Sequence, residues 1–157
     1  RVVDHRINLI KVTSAQEMFD ACVGLWEQTN IGVMSAAVAD YRPEEVATKK
    51  IKKSAERIQL TLIKNPDIIS EVAKLKRRPL VVGFAAETDN VVENGRKKLK
   101  AKNLDMLFAN NATDTFNSDS ISVTAITPSS ETNLATANKN LAARNILQLI
   151  SDQLAKT

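Results

Sequence analysis

The sequence predicts an α/β fold: a three-layer, Rossmann-like domain in which helices cover both faces of a mostly parallel sheet. Short apolar runs, typical of buried strands, alternate along the chain with longer stretches whose apolar residues recur at helical spacing. A length of 157 residues suits one domain, and 43% hydrophobic with 25% charged residues is an average globular composition. We therefore expect a single domain over residues 1–157.

Apolar runs and alternating patterns predict the strands. Nearly continuous apolar character indicates that IGVMSAAVA and PLVVGFAAE are strands buried on both faces, whereas RIQLTLI alternates and predicts a strand with one solvated face. The predicted strands are residues 7–12, 31–39, 57–63, 79–87, 104–110 and 121–127, with a further short strand near Ile51 in the polar stretch 40–56. A turn at Pro128-Ser-Ser, followed by residues 132–134, predicts a C-terminal hairpin.

Capping signals and helical periodicity predict the helices. Ser14 followed by Glu17 has the spacing of a capping box. Asn65 is predicted to cap the next helix, with Pro66 at its first helical position. The predicted helices are residues 14–28, 65–76, 88–102 and 137–155, the last one closing the domain after the hairpin.

Composition excludes several classes of site. A single cysteine, Cys22, excludes a disulfide framework and a zinc site built on cysteine pairs, and a single histidine, His5, excludes a histidine-rich metal centre. Neither a GxGxxG fingerprint nor a GxxxxGKS/T loop is present. No apolar run approaches the roughly 18 residues of a membrane helix, and RVVDHRINLI lacks the apolar core of a secretory signal. We expect a cytoplasmic domain that makes no membrane contact.

Positive charge is concentrated in the middle of the chain. Residues 42–102 hold 16 of the 22 Lys and Arg residues and 8 of the 18 Asp and Glu residues, a local net charge of +8, whereas each flank carries −2. This distribution indicates a local anionic partner, either nucleic acid or a nucleotide triphosphate. Nucleic-acid binding often adds exposed aromatic side chains for stacking, but of six aromatic residues only Tyr41 and Phe84 lie in or beside this segment. The pattern favours a small phosphorylated ligand.

Two strand ends carry residues suited to such a ligand, because open α/β sheets bind ligands at the carboxyl ends of their strands. Asp40 follows the strand at 31–39 and could bond a ribose hydroxyl or hold a phosphate-bound cation; an ordinary loop aspartate is the alternative. Gly83 permits close backbone approach, and the ring of Phe84 could pack on a base or sugar, although an isolated phenylalanine is more often a core residue.

Basic side chains and one helix start could bind phosphate. The cluster KKIKK at 49–53 lies in a long loop, where a flexible lysine could cover a triphosphate; a solvated basic loop is the alternative. The start of the helix at 65–69 offers free backbone N–H groups, or is plain capping. Lys98 and Lys102 share one helix face and could reach phosphates or remain in water.

Six sequence blocks together resemble one enzyme family. The blocks are AAVADYRP (36–43), KKIKKS (49–54), KNPDII (64–69), RPLVVGFAAET (78–88), KNLDMLFAN (102–110) and FNSD (116–119). They occur in this order in phosphopantothenoylcysteine synthetase, also called phosphopantothenate–cysteine ligase. The resemblance runs from about residue 8 to the C-terminus and is greater to the bacterial, CTP-using branch than to the eukaryotic one.

This resemblance implies an activity and its ligands. Such enzymes use CTP to activate the carboxylate of 4′-phosphopantothenate as an acyl-cytidylate with release of pyrophosphate; cysteine then attacks, CMP leaves and an amide forms. The resemblance also implies Mg²⁺ on the phosphates and a homodimer, with no nucleic-acid partner. The alternative is a non-catalytic nucleotide- or nucleic-acid-binding α/β module that uses the basic segment.

The resemblance also assigns roles to individual residues. Lys50 is similar to the catalytic lysine on a mobile flap over the active site, which also contacts the nucleotide. No metal ligand is assigned. The other nucleotide-binding positions implied are Met34, Ser35 and Ala36 for the cytosine, Asp40, then Pro66, Asp67, Ile68 and Ile69 at a helix start for the triphosphate, Phe84 as a packing ring, and Lys98 with Lys102 as paired lysines.

Part of the family pattern is not found in the chain. Family members begin with a Gly-rich strand–loop–helix and an Asn-containing Ser-Ser-Gly loop that carries a catalytic asparagine. The bifunctional bacterial protein adds a decarboxylase, which is where its FMN belongs. We expect this chain to be a truncated synthetase domain that retains much of the CTP site and has little ligase activity alone.

Overall fold

The computed structural model describes residues 4–52, 56–112 and 119–156. These residues form a five-stranded sheet, a separate two-stranded sheet and several helices. The strands are β1 (Ile31–Met34), β2 (Tyr41–Pro43), β3 (Leu62–Lys64), β4 (Leu80–Glu87), β5 (Met106–Asn111), β6 (Ser120–Ile126) and β7 (Glu131–Asn138). The helices are α1 (Ala15–Trp26), α2 (Ile68–Val72), α3 (Val91–Ala101) and α4 (Lys139–Leu154).

The five-stranded sheet is mixed, with strand order β1-β4-β5-β6-β7. β1, β4 and β5 run parallel, and β6 and β7 extend the sheet as antiparallel strands. β2 and β3 form the small antiparallel sheet. The parallel strands with their helices, followed by a hairpin and a final helix, confirm the predicted fold class.

The core divides into two clusters, one on each face of the central sheet, because successive side chains of a strand point to opposite faces. Val81 and Leu107 pack in one cluster with residues of α1, α2 and α3. Val82 and Phe108 pack in the other with Ile150 of α4. Helices therefore cover both faces, as the three-layer prediction requires.

Side-chain caps define where α1 and α4 start. Ser14 accepts a hydrogen bond from the N–H of Glu17 at 3.2 Å, while the Glu17 carboxylate accepts from the N–H of Thr13 at 2.7 Å. The expected capping box is thus present, with its return bond moved one residue upstream. Asn138 caps α4 by accepting from the N–H of Leu141 at 2.9 Å. Within the described ranges, no helix is both long enough and apolar enough to span a membrane.

Most of the predicted elements are present. The strands expected at 79–87, 104–110 and 121–127 correspond to β4, β5 and β6. The helices expected at 14–28, 88–102 and 137–155 correspond to α1, α3 and α4. The hairpin turn is closed by a hydrogen bond from the N–H of Thr127 to the carbonyl of Ser130 at 2.9 Å. β7 is longer than the expected residues 132–134.

Several strand predictions are wrong in existence or extent. Residues 7–12 form no strand, because no described strand pairs with them, and their apolar side chains stay exposed. β1 ends at Met34, so residues 35–39 lie outside the sheet. Val33 is exposed, so β1 is not buried on both faces as expected. From the prediction at 57–63, only the last two residues fall in β3. Ile51 lies in no strand of the described residues 40–52.

The second helix starts later and is shorter than predicted. α2 covers Ile68–Val72 rather than 65–76, and its cap is Asp67, whose carboxylate accepts from the N–H of Ser70 at 3.3 Å. Asn65, the expected cap, uses its side chain in bonds to Ala39 and Arg42 instead. A long-range contact thus overrides a local capping signal.

Candidate functional site

A cleft opens where β1 leaves the central sheet. β1 pairs with β4 only as far as Met34 opposite Gly83, so the remainder of β4 has no β1 residue beside it. The cleft has a volume of about 220 Å³ and is lined by residues that follow β1, by the start of α2, by β4 and by α3. It lies beyond the carboxyl end of a parallel strand, which is where open α/β sheets bind ligands.

Ten of the twelve predicted site residues line this one cleft, although they come from four separate parts of the chain. The two exceptions are Ser35 and Lys50, which are exposed and lie outside the lining. The block FNSD falls largely outside the described residues. The lining residues are Met34, Ala36, Asp40, Pro66, Asp67, Ile68, Ile69, Phe84, Lys98 and Lys102.

Asn65 joins two walls of the cleft. Its side-chain amide donates to the carbonyl of Ala39 at 2.8 Å, and its backbone N–H donates to the carbonyl of Asp40 at 2.8 Å. Its Oδ1 accepts from the guanidinium of Arg42 at 3.0 Å. These bonds fix the segment after β1 against the segment before α2, so the spacing between Asp40 and Asp67 is set by the fold.

The close approach expected at Gly83 is made by protein side chains. A Cβ at this position would lie 2.8 Å from Cδ1 of Leu104 and 3.1 Å from Cδ1 of Ile69, so glycine is what lets these side chains close one wall of the cleft. The neighbouring Phe84 is 39% exposed and packs on Phe108 with ring centroids 5.5 Å apart. Phe84 is therefore a surface ring supported by a buried one, available to stack on a base or sugar.

Both cleft lysines lie at the end of α3, Lys98 in its last turn and Lys102 just after its last residue, and each meets a carboxylate. Nζ of Lys98 lies 2.6 Å from Oε1 of Glu87, and Nζ of Lys102 lies 3.0 Å from Oδ2 of Asp67. Burial alone would raise the pKa of Asp67, but hydrogen bonds from Lys102 and Ser70 outweigh it and hold that pKa below its ordinary value. Both cleft lysines are thus charge-paired within the protein.

The start of α2 offers fewer free donors than predicted. The N–H of Ser70 is bonded to the Asp67 carboxylate, and the N–H of Asn65 is bonded to Asp40. α2 has only five residues, and so its dipole is smaller than that of a full-length helix. Any anion held here must rely on the lysines and on the remaining backbone groups of Ile68 and Ile69.

The carboxylates of the cleft suit a cation that arrives with phosphate. Within the described ranges, no group of three or more His, Cys, Asp or Glu side chains could hold a metal ion. Two carboxylates, Asp40 and Asp67, line the cleft. Mg²⁺ is commonly bound by one or two carboxylates together with substrate phosphates and water. The residues present fit that mode rather than a site that the protein builds alone.

Sequence reasoning missed several contributors to the cleft. Met18 of α1 lines it, although no motif in the sequence singles this residue out. Asn65 has a joining role that its capping pattern concealed. Glu87 partners Lys98 from the end of β4, and no local motif indicates this pairing. A carboxylate at the end of a strand next to the basic helix was the one available signal.

Comparison with known proteins identifies one family model and several relatives that resemble this chain. Residues 2–154 match the family model described as DNA/pantothenate metabolism flavoprotein C-terminal domain. The coenzyme A biosynthesis bifunctional protein CoaBC of Haemophilus influenzae is 44% identical over 154 residues, which cover 96% of this chain and 38% of that protein. The chain thus spans about two fifths of the length of the curated relatives it matches.

Solved structures share the architecture. The crystal structure of the C-terminal domain of CoaBC aligns with a TM-score of 0.76 at 32% identity, covering 94% of this chain and 66% of that one. A Cab2 mutant in complex with phosphopantothenate-cysteine aligns with a TM-score of 0.69 over 94% of this chain and 54% of that one; at 16% identity, this likeness concerns the fold alone. The chain therefore belongs to the family of DNA/pantothenate metabolism flavoprotein C-terminal domains.

Proposed function

We propose that this chain provides the CTP site of a phosphopantothenate–cysteine ligase of coenzyme A biosynthesis. The observation that carries the proposal is the cleft beyond β1, which gathers an exposed ring, two lysines and two carboxylates from four parts of the chain. Its family membership and its relatives in coenzyme A biosynthesis support the same assignment. Four of the six sequence blocks that resemble the synthetases supply most of the lining.

The lining suits the parts of a nucleotide. Phe84 offers an aromatic face for the base or sugar, and the backbone after Met34 can bond base edges. Asp40 can accept a ribose hydroxyl, or a cation held by phosphates. Lys98 and Lys102 are the two cations of the lining, and their ammonium groups can donate charged hydrogen bonds to the triphosphate.

The proposed reaction has two steps. A carboxylate oxygen of 4′-phosphopantothenate attacks the α-phosphorus of CTP, an acyl-cytidylate forms and pyrophosphate leaves. The cysteine amine then attacks the acyl carbon and displaces CMP, which leaves an amide. We propose that Lys50, on the exposed segment after β2, closes over the triphosphate and stabilises the charge that develops on the departing pyrophosphate.

We also propose Mg²⁺ as the counterion of the nucleotide. When bound to the phosphates it would neutralise part of their charge and polarise the reacting phosphorus. Asp40 is the candidate protein ligand, because Asp67 is already paired with Lys102. Loss of the Asp40 carboxylate should therefore make CTP affinity less dependent on Mg²⁺.

A homodimer is the proposed assembly. Apolar side chains at and before β3, together with one from β2, are more than half exposed: Tyr41, Ile58, Leu60 and Leu62. Exposed apolar surface of this kind often marks an interface. Sedimentation analysis should show a dimer that Leu60→Asp weakens, while Leu147→Asp on α4, whose native side chain is equally exposed, leaves it intact. If the unsubstituted chain stayed monomeric at all concentrations, the proposed homodimer would be contradicted.

Nucleotide titration tests the proposed function. Isothermal titration of the chain with CTP and ATP should show a clear preference for CTP, because contacts to the base edge, unlike contacts to phosphate, distinguish the two. Titration with an oligonucleotide across a range of salt concentrations completes the test. Equal and steeply salt-dependent binding of DNA, CTP and ATP would contradict the proposal and support a nucleic-acid-binding module instead.

A further inference from the structure

Both cleft lysines are neutralised by carboxylates of the protein. Lys98 pairs with Glu87 at 2.6 Å, and Lys102 pairs with Asp67 at 3.0 Å. The two carboxylates come from different elements, the end of β4 and the cap of α2. A phosphate group that enters the cleft therefore meets two ion pairs rather than two unpaired cations.

Glu87 pairs with Lys98 from a position behind the cleft lining. Its side chain is 12% exposed and does not line the cleft, whereas Lys98 is 49% exposed and does. Oε1 of Glu87 is buried, and apart from the Lys98 ammonium it has no hydrogen-bond partner among the described residues. The Lys98 ammonium is thus bonded to a carboxylate that lies behind the lining, while about half of the lysine side chain stays exposed.

We propose that Glu87 and Asp67 are exchange partners, which compete with the phosphate chain of a bound nucleotide for Lys98 and Lys102. This inference rests on the proposed nucleotide-binding function. The phosphates take over the ammonium groups on binding, and the carboxylates recover them on release. The competition lowers the phosphate contribution for every nucleotide alike, so contacts to base and sugar supply a larger share of the total binding free energy. The same competition keeps pyrophosphate, which has no base, weakly held.

The sign of the effect follows from charge and shape. Glu87→Gln keeps the length of the side chain and an oxygen that accepts a hydrogen bond, so Lys98 can stay oriented. The variant loses the negative charge that attracts Lys98 and repels an incoming phosphate. Removing this carboxylate should therefore strengthen phosphate binding, whereas a residue that only positions Lys98 would, on removal, weaken it.

Inorganic pyrophosphate is the probe that isolates this effect. By isothermal titration, Glu87→Gln should bind pyrophosphate about three- to tenfold more tightly than the unmodified chain, as expected when a partly shielded ion pair no longer competes. The matched control is Glu93→Gln, which removes the same charge from the exposed pair with Lys97 on the same helix and should change nothing. In a Lys98→Gln background, adding Glu87→Gln should have no further effect.

Unchanged or weaker pyrophosphate binding by Glu87→Gln would overturn the proposal, and so would equal tightening by Glu93→Gln or no saturable binding in any variant. If circular dichroism shows that Glu87→Gln is unfolded, the same titration is made with Asp67→Asn, which frees Lys102 and should also bind pyrophosphate more tightly. Glu71→Gln, which removes the exposed pair with Lys74, is its control. Failure of the proposed function would be a separate result. It would appear as equal affinity for CTP and ATP in the nucleotide titration, and it would not change the pyrophosphate titration.

Discussion

The side-chain amide of Asn65 donates a hydrogen bond of 2.8 Å to the main-chain carbonyl of Ala39. This bond connects two segments that are 26 residues apart in sequence and form facing walls of the cleft. Together with the bond from Arg42 to Asn65, it makes the shape of the cleft depend on one amide side chain.

Replacing that amide should loosen the cleft. Asn65→Ala removes the bonds to Ala39 and Arg42, so we expect a loss of about 1–2 kcal/mol in unfolding free energy and weaker CTP binding. Denaturant unfolding and titration with CTP measure the two effects. Asn94→Ala is the control, since Asn94 also donates to a backbone carbonyl but lies outside the cleft. Equal loss of CTP affinity in both variants would contradict the joining role of Asn65.

Two glycines of the N-terminal half should respond to alanine with opposite signs. A Cβ at Gly32 would lie 2.6 Å from Cη2 of the buried Trp26 ring, so Gly32→Ala should destabilise the fold by about 1–3 kcal/mol. At Gly24, in the last turn of α1, an added Cβ would meet no side chain within 4 Å, so Gly24→Ala should stabilise by about 0.5–1 kcal/mol. Thermal unfolding of both variants measures these changes. A midpoint temperature that shifts in the same direction in both variants would contradict the packing described for the two glycines.

The pair of Asp67 with Lys102 should make stability depend on pH in the acidic range. Because the folded-state pKa of Asp67 lies below its ordinary value of 3.8, the stabilisation is present above that value and is lost as pH falls through the lower folded pKa. Lys102→Gln removes the partner, so its stability deficit should be largest above about pH 4 and should shrink on further acidification.

Lys100→Gln, on the same helix but outside the cleft lining, is the control for this measurement. Nuclear magnetic resonance titration of the Asp67 carboxyl carbon gives the pKa directly. It should rise in Lys102→Gln and stay unchanged in Lys100→Gln. An unchanged pKa in Lys102→Gln would show that the ion pair does not form in solution.

Lys50 should matter for turnover rather than for nucleotide binding. It is exposed and lies outside the cleft lining, so Lys50→Gln should leave CTP affinity within about twofold and abolish pyrophosphate release in the protein that contains this chain. Lys49→Gln, its exposed neighbour, should retain release. Normal release by Lys50→Gln would remove this lysine from the proposed mechanism.

Local patterns predicted the central elements because the sequence signals of those elements are local. The apolar run of β4 and the caps of α1 and α4 can be recognised without knowing their neighbours. The spacing of Lys98 and Lys102 likewise predicted one shared helix face, and both lysines line the cleft. Other cleft residues, such as Met34 and Ala36, are indicated only by the family resemblance and by no local pattern.

The errors occur where distant residues decide the structure. Residues 35–39 have the small apolar side chains of a buried strand, but several of them line a cleft, and the two environments favour the same residue types. Asn65 stands where a helix cap is expected from the sequence. Its side chain instead donates to the carbonyl of Ala39, a residue too distant in sequence for a local pattern to indicate. Residues 7–12 have the pattern of a strand, but a strand requires a partner, and no described strand pairs with them.

Mapping CTP onto backbone amides tests the central claim most directly. In a titration followed by nuclear magnetic resonance, the amides of Ala36, Asp40, Ile69 and Phe84 should shift together along one saturating curve, while that of Leu147 on α4 stays in place. Shifts that spread over the basic surface without saturating, and that leave those four amides unmoved, would show that the cleft beyond β1 does not bind the nucleotide.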